Sequence, residues 1–106
     1  MWNKIKLINF FQKNLKKEIT IQKSNKPFFL NGEIKLVEEL DLCGYKLFEV
    51  QLIQKNSKNV IYITLHQEFV GINMKLLNRE SKQKDNTSLE EIPYKNILVS
   101  CRKFYE

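Results

Sequence analysis

Alanine is missing from this chain altogether; histidine occurs once, proline twice and glycine three times in 106 residues. Lys, Asn, Ile and Leu are abundant instead, as in an AT-rich coding sequence, so the lysine count carries a coding bias as well as any function. The remaining absences exclude whole classes of chemistry. His66 is the only imidazole, and Cys43 and Cys101 lie far apart with no CxxC or Cys/His spacing, so no local metal-ligand set exists. Both cysteines read as reduced, small, buried residues. No GxSxG elbow is present, and none of Gly32, Gly44 or Gly71 opens a helix as a phosphate-cradling loop would. No apolar run approaches transmembrane length, and the first residues lack the apolar core and small-residue cleavage site of a secretory leader. The expectation is a protein of the cytoplasm or another reducing compartment, without cofactor or metal, and a binder sooner than an enzyme.

What is present is charge, unevenly spread. The net charge is +6, and the first thirty residues hold seven Lys against one Glu. The segment 31–54 is acidic, with five Asp or Glu against two Lys. A basic third on a nearly neutral remainder suits an anionic partner surface.

Periodicity supplies the fold. At about 100° per residue, Leu7, Ile8, Phe11 and Leu15 fall on one side of a helix over 3–17, with Lys6, Lys13 and Lys17 almost opposite. Asn3 is the expected N-cap, and Lys16 and Lys17 suit the negative end of the helix dipole. Trp2 and Phe10 lie on the flanks, while Lys4 falls inside the apolar arc and must snorkel. Strands are expected at 19–23, 28–30, 33–39, 45–55, 60–66, 69–77 and 96–104. Asn31-Gly32 between apolar runs predicts a type I′ hairpin turn. Alternation around Asn56–Asn59 predicts a second hairpin in which Leu52 meets Ile63, Val50 meets Leu65, Ile53 meets Tyr62 and Glu49 meets His66. Gly71 reads as a bulge, 79–88 as an exposed loop, and 89–92 as a helical turn stopped by Pro93.

The expected architecture is α+β in one domain over 1–106: an N-terminal amphipathic helix packed on a five- to six-stranded antiparallel meander sheet. A small open β-barrel with a helix is the alternative.

Four functional readings follow, the last being peripheral attachment of the N-terminal helix to a membrane, against which the helix's apolar stripe is better used to cover the sheet. In the first, the chain docks without catalysis on an anionic partner, RNA or an acidic protein surface. It would use Lys6, Lys13, Lys16, Lys17, Lys23 and Lys26, with Trp2 and Phe10 placed to stack on bases. In the second, it is a protein-interaction subunit or an inhibitor- or immunity-type protein, contacting its partner through Ile53 and Tyr62. The third rests on a resemblance. Gly44 to Val50 followed by Val60 to His66 resembles the central strands of small RelE/HigB-type ribonuclease toxins, over less than a quarter of the chain. The resemblance implies a small ribonuclease, and the residues themselves offer His66 as base beside the Glu49 carboxylate, with Lys75 or Arg79 to stabilise phosphate charge. The chain departs from the pattern in following these strands with Gln67-Glu68-Phe69-Val70-Gly71 instead of a basic, aromatic-bearing segment.

Overall fold

A computed structural model describes residues 1–55, 59–65, 70–78 and 87–101. Among the described residues one helix, α1 (Lys4–Lys13), precedes seven strands: β1 (Glu18–Lys23), β2 (Phe29–Leu42), β3 (Tyr45–Ile53), β4 (Asn59–Leu65), β5 (Gly71–Asn78), β6 (Thr87–Pro93) and β7 (Ile97–Cys101). Every pairing is antiparallel, in the order β6-β5-β4-β3-β2-β1-β7. The outermost strands β6 and β7 are consecutive in the chain and are joined by a single 3-10 turn, Tyr94–Asn96. That short link brings the two edges of the sheet together at one end, so the sheet curls into a nearly closed barrel. The α+β expectation and its open-barrel variant describe the same object.

The concave side of this sheet holds the core. Ile19, Ile21, Ile34, Val50, Leu52, Ile61, Ile63, Leu65, Ile72, Met74 and Ile92 are fully buried in one cluster, and α1 adds Leu7 and Phe11 to it. Asn3 caps the helix as expected, its side chain accepting from the Lys6 amide at 2.9 Å. The helix is shorter than its apolar periodicity. Asn14 caps its C-terminus, with backbone and side-chain nitrogens both donating to the Phe10 carbonyl. Lys16 then takes a left-handed φ of 68°, and the Lys16 amide and Lys17 carbonyl bond to the backbone of Ile34. Leu15 therefore leaves the apolar stripe and is 43% exposed.

The strands correct several expectations. Residues 28–30 and 33–39 are not two strands around an Asn-Gly turn, because β2 runs unbroken through Asn31 and Gly32. Gly32 is used for closeness: a Cβ there would stand 3.0 Å from the Leu52 Cβ. Asn31 is held in the strand by the Thr20 hydroxyl, which donates to its side chain at 2.6 Å. The tight turn with positive φ at both central residues lies at Cys43 (55°) and Gly44 (85°), where Gly44 N–H donates to Asp41. Gly71 is no bulge; it lies opposite Pro93, and the register shifts further along, between Met74 and Lys75. Residues 89–92, read as a helical turn, belong to β6, as do the last two residues of the expected 79–88 loop. The rest of that loop lies outside the described residues. Both cysteines are free thiols, and both are exposed instead of buried.

The β3–β4 hairpin keeps its predicted faces with a register two residues away. Leu52 opposes Ile61, Val50 opposes Ile63 and Phe48 opposes Leu65. A shift of two preserves the side-chain alternation, so the apolar face still meets the core.

Tyr94, in the turn between β6 and β7, is buried, and its hydroxyl oxygen has no hydrogen-bond partner among the described residues. Burial pushes its phenol above the usual value. Tyr94→Phe removes a desolvated group without opening a void, so stability is expected to rise by about 1 kcal/mol. The gain grows with alkali. The unfolded tyrosine ionises at about pH 10. The folded one resists ionisation, so the native protein loses stability as pH rises through that range. Denaturant midpoints of both proteins at neutral pH and about pH 11 test this. An equal alkaline loss in both would show that Tyr94 does not contribute.

Candidate anionic-partner interface

The helix phase set by Leu7 and Phe11 decides where the lysines go. With those two inside the core, Lys6 and Lys13, seven residues apart, share the outward side. Both are exposed, as are Lys16 and Lys17 beyond the helix and Lys26 in the β1–β2 connection. None of these five ammonium groups is engaged in an ion pair within the described residues.

Lys23 stands apart from them. It follows Ile19 and Ile21 on the inward face of β1, and its side chain is only 8% exposed. Its ammonium pairs with Glu90, an inward-facing residue of β6, and lies 5.7 Å from the centre of the Phe28 ring. The pair joins the two sides of the curled sheet near its seam. Lys23 is therefore spent inside the protein and is not available to a docked anion. Lys55 is likewise engaged, 3.6 Å from the largely buried Glu18 carboxylate.

Trp2 and Phe10 do not project as stacking platforms. They meet edge to face at 5.4 Å, Phe10 meets Phe11 the same way at 5.9 Å, and both Trp2 and Phe10 are half-buried against the core. A base would have to break these contacts to stack. The exposed lysines are therefore not interleaved with free aromatic faces from Trp2 and Phe10.

The expected protein-contact pair, Ile53 and Tyr62, sits on the convex face, but the residues do not oppose each other. Ile53 faces Val60, and Tyr62 lies between Gln51 and Lys75. Both are half-buried. More apolar surface is open elsewhere on that face, where Gln22 of β1 is flanked by Phe29 of β2 and Leu98 of β7, both exposed. The only sequence signal for these two was their place opposite the buried parity of their strands.

For the ribonuclease reading, Glu49 opposes Thr64 and not His66. His66 and Arg79 lie outside the described residues, and Lys75 is exposed on β5. Among the described residues no cluster of three His, Cys, Asp or Glu could hold a metal ion, and no helix is long and apolar enough to cross a membrane.

No protein-family model matches this chain, and no curated protein or solved structure matches it. Any functional reading therefore rests on the arrangement of its own residues.

Proposed function

We propose that this protein is a non-catalytic docking module that binds an anionic partner through the lysine surface of α1 and the turn after it. One observation carries the reading. Lys23 and Lys55 are engaged by acids of the chain itself, while Lys6, Lys13, Lys16 and Lys17, four exposed lysines within twelve positions of one another, have no ion pair among the described residues; the other exposed lysines are scattered singly over the sheet and its connections. Like charges gathered on a short helix repel one another and weaken it slightly. A docked anion reverses that penalty and releases counterions, which makes such binding steeply dependent on salt.

The test measures anisotropy of labelled single-stranded RNA and of labelled polyglutamate at low and high salt, with wild type and with Lys13→Glu/Lys17→Glu. Both positions are exposed, so the variant is expected to fold normally. Binding of a polyanion that falls with salt, and falls at least about tenfold in the variant, supports the reading. Absence of polyanion binding at low salt, or binding indifferent to both changes, would falsify it.

A further inference from the structure

Three of the seven large apolar side chains left exposed among the described residues, Met1, Ile5 and Leu15, fall within the first fifteen positions, among the unpaired lysines. Ile5 is the telling one. It is 72% exposed in the middle of a helical turn, where a polar residue would serve solubility better. The exposed apolar groups at this end, Met1, Ile5 and Leu15, are aliphatic, whereas the rings beside them, Trp2 and Phe10, are folded edge-on against the core.

Both flanks of the helix's first turn repeat one chemistry. On one side a shallow depression of about 240 Å³ is lined by Met1, Trp2 and Lys6. On the other, a depression of about 200 Å³ between α1 and the β2–β3 hairpin is lined by Lys4, Ile8, Glu39, Lys46, Leu47 and Phe48. In each, lysine stands beside apolar surface, and in the second the Glu39 carboxylate offsets one of its two lysines. Lys4, which the helical wheel places within the apolar arc, thus comes to line a hollow together with Ile8 and Phe48. Lysines next to aliphatic side chains match a surface that is anionic outside and hydrocarbon a few ångströms below.

We propose, resting on the docking reading above, that the anionic partner is a lipid bilayer bearing acidic headgroups, on which α1 lies with Ile5 and Met1 entering the headgroup boundary. The lysines supply attraction to the acidic lipid, and the aliphatic groups supply a salt-insensitive component that neither RNA nor polyglutamate would reward. The chain has a single tryptophan, Trp2, at this surface, so its emission reports contact directly.

The experiment is co-sedimentation of the full chain with vesicles of phosphatidylcholine alone and of phosphatidylcholine mixed with phosphatidylserine, with Trp2 emission recorded in parallel. Expected are binding to the mixed vesicles only, weakening with salt, and a blue shift of Trp2. Ile5→Ser, a change at an exposed site, should weaken vesicle binding about tenfold and leave polyglutamate binding unchanged. If RNA or polyglutamate binds while the mixed vesicles neither sediment the protein nor shift Trp2, the bilayer assignment is overturned and the docking reading stands. If nothing anionic binds, both are overturned. Equal binding by Ile5→Ser and wild type would also overturn the proposed seating of α1.

Discussion

Gly71→Ala is expected to be among the most damaging single-methyl additions available in this protein. A Cβ at Gly71 would lie 2.3 Å from the Ile92 carbonyl oxygen and within 3 Å of the Ile92 carbonyl carbon and the Pro93 Cα. All three are backbone atoms, which cannot turn aside as a side chain would. Gly71 faces Pro93 across the β5–β6 pair, so relief requires pulling the two strands apart where the chain enters the turn that closes the barrel. The expected cost is about 3 kcal/mol. That corresponds to a fall in Tm of roughly 10–20 °C. Gly44→Ala provides the contrast. Nothing lies within 4 Å of a Cβ there, and only its φ of 85° opposes a side chain. That strain is worth about 1–2 kcal/mol. Thermal unfolding of the two variants should therefore rank Gly71→Ala below Gly44→Ala. The reverse order would mean that β6 does not approach β5 as closely as the register requires.

The same strand shows where the sequence could be read and where it could not. Strands β3 and β4 announce themselves because a period of two survives any even shift in register; Val50, Leu52, Ile61 and Ile63 are inside whichever partner they meet. Their register depends on the connection between them, which local alternation does not specify. Strand β6 is nearly invisible. It is an edge strand in which Ile92 is buried while Glu90 turns a charge inward, and inward charge is how edges avoid pairing with other chains. Glu90 is tolerable there because Lys23, 67 positions earlier, meets it. No window along the chain joins those two residues. For that reason Lys23 reads in sequence as one more surface lysine. Asn31-Gly32 fails differently. Its local preference for a turn is real, but Gly32 is needed where β2 passes close to Leu52, and tertiary packing outweighs a turn preference. The lysine surface itself was legible, since the phase of α1 follows from Leu7 and Phe11 and places Lys6 and Lys13 outside. What the helical wheel misplaced was Leu15, because Asn14 ends the helix before the stripe is complete.

Phe11→Ala is expected to cost about 3–5 kcal/mol, a large share of the stability of a domain this size. Phe11 is fully buried and shares the core with Leu7, the other fully buried residue of α1. It also meets Phe10 edge-on at 5.9 Å, and Phe10 in turn holds Trp2. The helix has ten residues. An isolated helix below about 12–15 residues is marginal in water, so packing and not propensity keeps α1 folded. Truncating Phe11 removes one of two anchors, leaves a void beneath the helix, and loosens the aromatic chain that fixes Trp2. Far-UV circular dichroism should show a loss of helix at temperatures where the sheet persists, and Trp2 emission should shift as its packing fails. Substituting the outward-facing Gln12 by Ala should change stability by no more than about 0.5 kcal/mol. The pairing also tests the proposed docking role of α1 separately from its packing role. In Gln12→Ala the lysine surface stays rigid, whereas in Phe11→Ala the same lysines remain in the chain but lose their common orientation. Polyanion binding that weakens in Phe11→Ala, with every lysine intact, would trace affinity to the arrangement of the charges. Binding equal to wild type, despite a melted helix, would mean that charge count alone suffices and that the helix contributes no geometry to docking.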